Sequence, residues 1–147
     1  MHLVAECGRG LPVGFALTAG QASELDGLGP ALRAVAVPRP RGRPRTRPAR
    51  LACDKGYDFP QARDYLRRRG IGGVVPSRRR PARWRPRRGR PCAFDRAAYR
   101  RRNCVERCVG RLKEFRRVAT RYEKLAGSYL AVVHVAAIRL YLRELTC

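Results

Sequence analysis

Two tracts rich in proline and arginine place the strongest constraint on the fold of this 147-residue chain. The first is PRPRGRPRTRPAR at residues 38–50, and the second is RRRPARWRPRRGR at residues 78–90. Their low complexity, their like charges and their missing proline donors prevent either tract from forming a packed helix or strand. We therefore expect one domain over residues 1–147 in which both tracts are basic loops, the first of them mobile.

The stretch before the first tract predicts a β-hairpin and a helix. Residues 2–6 and 11–18 are β-type runs joined by CGRG, which is typical of a hairpin connection. Residues 23–37 then carry leucine and valine at helical spacing, although two glycines and a proline weaken the pattern.

The middle stretch predicts a strand, a helix and a second strand. The run LAC at residues 51–53 is a short strand candidate, and Asp58 is a candidate N-cap for a helix with Pro60 in its first turn. The run IGGVVP provides the second strand. This order predicts a parallel crossover, and together with the hairpin it predicts a mixed sheet.

The last stretch predicts two helices. Asp95 can cap a helix of about twenty residues that ends near Val118. Thr120 and Glu123 form a capping box for a final apolar helix that runs to about residue 143. Polar residues interrupt this helix, so it predicts a buried core helix and no membrane span, and the amino-terminal residues do not have the pattern of a signal peptide.

The net charge narrows the classes of binding partner, and the spacing of the cysteines narrows the possible states of their thiols. The net charge of +23 favours a polyanion, although a GC-rich gene would explain part of the excess of arginine. Arginine also matches the geometry of phosphate. The six cysteines form no CxxC pair, so we expect free cytoplasmic thiols; Cys104 and Cys108 could share a helix face, which allows a zinc pair without requiring one.

Two acidic residues occupy positions that suggest a functional site. In YRRRNCVERCVGRLK, helical spacing would align Tyr99, Arg102, Glu106 and Lys113 on one stripe. Asp54 directly follows an apolar strand, where α/β sheets hold their ligands, and carboxylates suit Mg²⁺ or Mn²⁺. The alternatives are a solvated ion pair for Glu106 and a turn or helix-cap role for Asp54.

These residues carry a resemblance to a known family. The spacing of Tyr99, Arg102, Glu106 and Lys113 matches the Y-x(2)-R-x(3)-E-x(6)-K signature of bacterial insertion-sequence DDE transposases. ACDKGYD resembles their second-aspartate motif, and the carboxyl-terminal residues look like their final helices. The resemblance spans essentially the whole chain. It implies an RNase H-like mixed sheet flanked by helices, in a cytoplasmic, nucleoid-associated enzyme that cuts transposon ends, joins them to target DNA and forms homo-oligomers.

The resemblance also implies roles for individual residues. Asp54 and Glu106 would be the second and third catalytic carboxylates and would bind Mg²⁺ or Mn²⁺. The resemblance further implies that Tyr99, Arg102 and Lys113 contact the DNA backbone. We also expect DNA binding by Lys55 and Asn103 and, in the second basic tract, by Trp84, Arg87 and Arg88. Trp84 could stack on an unpaired base, or it could anchor the second tract as an apolar residue.

One departure from the family pattern concerns the first catalytic aspartate, which the family carries on the first strand of its sheet. No aspartate precedes Asp26 here, and Glu6 would lie at the wrong end of its strand. We therefore expect a partial catalytic domain that lacks the first strand and is inactive alone. It would be either a frame joined to an upstream reading frame by frameshifting, or a remnant.

Two other functions remain open. A non-catalytic, basic nucleic-acid-binding protein would have Asp54 and Glu106 in ion pairs or far apart. A regulatory partner that only joins transposase oligomers would bind subunits without dependence on a divalent metal.

Overall fold

The computed structural model describes residues 1–78 and 94–146 as an α/β protein. Its chain divides into two compact units. The first consists of Met1–Thr46 and Asn103–Cys147, and the second consists of Arg47–Arg102. Among the described residues, no helix combines the length and the apolar character that a membrane crossing requires.

The first unit begins with the predicted hairpin, which is confirmed. Strands β1 (His2–Ala5) and β2 (Pro12–Ala16) pair antiparallel, with His2 opposite Ala16. The connecting turn uses Gly10 at φ +68°, a left-handed conformation that glycine adopts without strain.

Helix α1 (Glu24–Arg33) packs closely on this hairpin. Ser23 caps its first turn, and the side chain of Asp26 completes the capping box. A Cβ at Gly27 would lie about 2 Å from ring atoms of His2, so the glycine that weakens the sequence pattern is needed for this contact. The helix ends at Arg33, earlier than the predicted end at residue 37.

Three further helices complete the first unit: α4 (Asn103–Lys113), α5 (Arg116–Ala119) and α6 (Ala126–Leu145). Leu112 and Leu140 are almost fully buried, in a core formed by Leu11, Phe15, Cys108, Leu112, Val118, Val133, Ala136, Ala137 and Leu140. This core fixes which faces of α4 and α6 are exposed.

The second unit contains the predicted parallel crossover, which is confirmed. Strands β3 (Arg50–Ala52) and β4 (Gly72–Val74) pair in parallel, and α2 (Pro60–Arg68) connects them. Ala62 and Leu66 of α2 are buried. The unit ends with α3 (Arg96–Arg100), which Asp95 caps through the amide of Ala98, as predicted.

The described strands form two separate two-stranded sheets, one in each unit, and not the single mixed sheet that the sequence predicts. Residues 38–49 of the first basic tract are mostly exposed and contain no helix or strand. Arg45 of this tract forms an isolated β-bridge with Val37, in which the two residues exchange backbone hydrogen bonds of 3.0 and 2.7 Å. The mobility of the tract stays a prediction.

Three details of the predicted helices are wrong. The long helix predicted from Asp95 is divided by a turn at residues 101–102 and again before α5. Asp58 does not cap α2, whose N-cap is Phe59, because the Asp58 carboxylate binds Arg63. Helix α6 begins at Ala126 without a side-chain cap, because Glu123 instead binds the guanidinium of Arg117.

Candidate functional site

Asp54 lies two residues beyond the end of β3. Its side-chain Oδ1 accepts a hydrogen bond from the amide of Lys55 and so caps the short 3₁₀ turn Lys55–Tyr57. The side chain remains 59% exposed. Asp54 is therefore a turn-capping aspartate, the alternative left open by the sequence, and it also has a carboxylate accessible to solvent at the carboxyl end of a parallel strand.

Arg102 is the charged neighbour of Asp54 in the second unit. Nη1 of Arg102 lies 3.8 Å from Oδ2 of Asp54, and the guanidinium lies 5.5 Å from the ring centroid of Tyr99. The ring of Phe94 packs at a tilt against Tyr99, at 5.2 Å between centroids. We call these four residues, Asp54, Arg102, Tyr99 and Phe94, the Asp54 cluster. It unites three of the predicted site residues.

A buried ion pair supports the loop that follows Asp54. The carboxylate of Asp58 is almost fully buried and accepts a hydrogen bond of 2.8 Å from Nη2 of Arg63. The same guanidinium donates to the carbonyl of Val75 at 2.9 Å. Asp58 thus connects α2 with the segment after β4, and this contact fixes the loop that carries Asp54.

Arg78 also contacts this loop, although no motif in the sequence identified it as a site residue. Its Nε donates to the carbonyl of Lys55 at 3.0 Å, and its amide donates to Oδ2 of Asp58 at 2.7 Å. Its guanidinium also lies 5.4 Å from the ring centroid of Phe59. The only signal in the sequence was its place as the first arginine of the second tract.

Glu106, Asn103 and Lys113 lie on α4 in the first unit. Cys104, Cys108 and Leu112 form the buried face of this helix, whereas the three predicted site residues are exposed. Their spacing of three and seven residues places them on one solvent-facing stripe. The wider stripe predicted from Tyr99 to Lys113 is wrong, because the turn at residues 101–102 divides it between two helices.

Glu6 has a structural role in the hairpin turn. Its carboxylate accepts hydrogen bonds from the amides of Arg9 at 2.8 Å and Leu11 at 3.1 Å. Burial opposes ionisation of Glu6, but hydrogen bonds from the backbone of the turn outweigh it and lower the pKa of this carboxyl. Glu6, the acid considered in place of the missing catalytic aspartate, therefore stabilises the turn.

Carboxylates are suitable donors for a hard divalent cation, and Asp54 and Glu106 are both exposed carboxylates. Within residues 1–78 and 94–146, however, no group of three histidine, cysteine, aspartate or glutamate side chains could hold a metal ion. The donor type fits Mg²⁺ or Mn²⁺, and the described ligands do not complete a site. Trp84, Arg87 and Arg88 lie outside the described residues.

Comparison with protein families gives a match. A family model described as a transposase DDE domain matches residues 51–143, a segment that includes Asp54 and Glu106. No curated protein matches the chain. No solved structure matches it either.

Proposed function

Because the chain belongs to the transposase DDE domain family, we propose that it is part of an enzyme that cleaves transposon ends and joins them to target DNA. The observation that carries this proposal is the Asp54 cluster. Asp54 of the second-aspartate motif has Arg102 of the Y-x(2)-R-x(3)-E-x(6)-K motif as its charged neighbour. Two motifs that are 48 residues apart in the sequence thus share a contact.

Asp54 and Glu106 are, in this proposal, the second and third catalytic carboxylates. Bound Mg²⁺ or Mn²⁺ would activate the attacking oxygen and stabilise the leaving oxygen during phosphoryl transfer. The role of the two acids is to supply hard oxygen ligands from an accessible loop and an exposed helix face. The 147 residues supply two of the three carboxylates of the family pattern, so we propose that they do not cleave DNA alone.

The proposed DNA contacts include neighbours of each acid within its own unit. Asn103 and Lys113 flank Glu106 on the exposed stripe of α4, and Tyr99 and Arg102 belong to the Asp54 cluster. The full proposed set is Lys55, Tyr99, Arg102, Asn103, Lys113, Trp84, Arg87 and Arg88. The net charge of +23 supports binding to the phosphate backbone, with an affinity that falls steeply as salt rises.

The same proposal covers the fold, the oligomeric state and the first aspartate of the complete enzyme. We propose an RNase H-like fold for the complete enzyme, since an antiparallel hairpin and a parallel crossover are both local units of such a fold. The complete protein would act on DNA at the nucleoid as a homo-oligomer. It would also need a further segment, such as an upstream-frame product, to supply the first aspartate.

A non-catalytic, basic nucleic-acid-binding protein is the second candidate. It is favoured by the contacts of Asp54, since one oxygen caps a turn and the other faces the guanidinium of Arg102. If this second function is correct, the two acids have structural roles and bind no metal. DNA affinity would then depend on arginine charge alone.

Metal-dependent DNA binding distinguishes the two functions. The affinity of the 147-residue chain for a terminal-repeat duplex would be measured with and without Mn²⁺, for the parent and for Asp54→Asn and Glu106→Gln. The transposase proposal expects Mn²⁺ to raise the affinity of the parent and not that of either variant. Asp64→Asn and Glu114→Gln are matched controls, because both acids are exposed and pair with an arginine. An equal response to Mn²⁺ in all five proteins would exclude metal binding by Asp54 and Glu106.

A further inference from the structure

Cys7 and Cys104 lie in direct contact in the first unit, although 97 residues separate them in the sequence. Their Sγ atoms are 2.7 Å apart. Cys7 belongs to the exposed turn of the hairpin, whereas Cys104 is buried in the first turn of α4. One thiol of the pair is therefore accessible to reagents, and the other lies directly behind it.

Independent contacts fix the hairpin turn against α4. Nη2 of Arg111 donates to the carbonyl of Arg9 at 3.0 Å and to the carbonyl of Gly10 at 2.5 Å. Nη1 of the same guanidinium binds Oε1 of Glu144 on α6 at 2.9 Å. Because these contacts do not involve the thiols, the proximity of Cys7 to Cys104 is a property of the folded unit.

We propose that Cys7 and Cys104 form a redox-modified pair, which a low-molecular-weight disulfide converts into a protein disulfide. The Cys7 thiolate attacks one sulfur of the reagent, forms a mixed disulfide and releases one reagent thiolate. The Cys104 thiolate then attacks the sulfur of Cys7, forms the Cys7–Cys104 bond and releases the second reagent thiolate. Two protein thiols are oxidised, two reagent thiols are formed, and the two protons lost by the cysteines go to the solvent or to the released thiolates.

The environments of the two cysteines assign their order of reaction. Cys7 is exposed and Cys104 is buried, so a reagent in solution reaches the sulfur of Cys7 first. The exposed Cys7 therefore attacks first, and Cys104 acts as the resolving thiol because it is already in contact.

The expected consequence is a covalent connection between the hairpin turn and the start of α4. A bond that closes so long a loop reduces the conformational entropy of the unfolded chain and raises thermal stability. Glu106 follows Cys104 by two residues on the same helix, so the connection also restrains the turn that carries it.

Trypsin allows a direct test, because it releases the cysteines on separate peptides: MHLVAECGR with Cys7, NCVER with Cys104 and CVGR with Cys108. The chain with Cys92→Ser and Cys147→Ser would be equilibrated with oxidised glutathione, digested without reduction and examined by mass spectrometry. We expect MHLVAECGR joined to NCVER, together with a rise in the unfolding temperature that dithiothreitol reverses.

Two variants make the result decisive. Cys7→Ser, at an exposed position, should abolish both the cross-link and the reversible rise in unfolding temperature. Cys53→Ser removes a buried thiol of the second unit and should retain both. The proposal is overturned if Cys7 accumulates as a glutathione adduct while Cys104 stays reduced, or if the cross-link is found on CVGR.

Discussion

Nη1 of Arg102 lies 3.8 Å from Oδ2 of Asp54, and the same guanidinium lies over the ring of Tyr99. The side chain of Arg102 is only 18% exposed, whereas that of Asp54 is 59% exposed. The arginine is thus packed in place by the aromatic ring, and the carboxylate is open to solvent. This relationship gives Arg102 two roles to test, one toward Asp54 and one toward DNA.

Arg102→Gln should weaken DNA binding more than it weakens the fold. The exposed Asp54 limits the ion pair to at most about 1 kcal/mol of unfolding free energy. Loss of one phosphate contact should lower the slope of log affinity against log salt by about 1. Fluorescence anisotropy across a salt series measures this slope. Arg67→Gln is the control, because it removes an equal charge from an exposed pair with Asp64. Equal slopes for both variants would contradict a phosphate contact by Arg102.

Asp58→Ala should destabilise the second unit strongly. The substitution leaves Arg63 without its buried carboxylate and removes the acceptor for the amide of Arg78. Breaking a buried pair in this way costs about 3 kcal/mol. Chemical denaturation measures the change. Asp64→Ala breaks an exposed ion pair and should cost less than about 1 kcal/mol, so a similar loss for both variants would show that Asp58 does not hold this loop.

Glu6 should make the stability of the first unit depend on pH in the acid range. The pKa of Glu6 is lowered in the folded chain from its ordinary value of 4.5, so the carboxylate contributes stability above pH 4.5. This contribution is lost as pH falls through the lower, folded-state pKa. Thermal unfolding of the parent and of Glu6→Gln should therefore differ most above pH 4.5 and converge at lower pH. A difference that is constant with pH would contradict the turn-capping role.

Local sequence signals predicted the elements whose contacts are themselves local. The hairpin and the strand–helix–strand crossover follow from turn residues and short apolar runs, which need no distant partner. The exact helix ends could not be predicted, because neighbouring arginines compete with the backbone amides for the capping carboxylates. Glu123 binds Arg117 instead of completing a capping box, and Asp58 binds Arg63 instead of capping α2.

The candidate site was also predictable only in part. The motif spacing identified Asp54, Arg102 and Tyr99, which the structure brings together in one cluster. The turn at residues 101–102 has no glycine or proline to mark it, so the spacing wrongly implied one continuous stripe. The role of Arg78 could not be predicted from the sequence. Its partners are backbone carbonyls and a carboxylate that only the folded loop brings near it, and the low-complexity tract in which it lies gives no sign of them.

Gly27→Ala tests the close contact between α1 and the hairpin. Alanine usually stabilises a helix interior by up to about 1 kcal/mol relative to glycine. Here the added methyl group would overlap the ring of His2, so we expect a net loss of about 1–3 kcal/mol. Gly127→Ala in α6 is the control, because nothing lies near its Cβ position, and it should stabilise. Thermal unfolding measures both, and adding His2→Ala should remove most of the penalty at Gly27.

The outer face of α6 is apolar and exposed. We expect this face to mediate self-association and to contribute little to the stability of the fold. Ile138 and Leu142 are more than half exposed, on a face with the exposed residues Val135 and Leu145. Ile138→Lys should therefore change the free energy of unfolding by less than about 0.5 kcal/mol and reduce light scattering by concentrated protein. Leu140→Ala, on the buried face of the same helix, should instead cost about 2–5 kcal/mol. A large loss of stability in Ile138→Lys would show that the outer face packs within the chain.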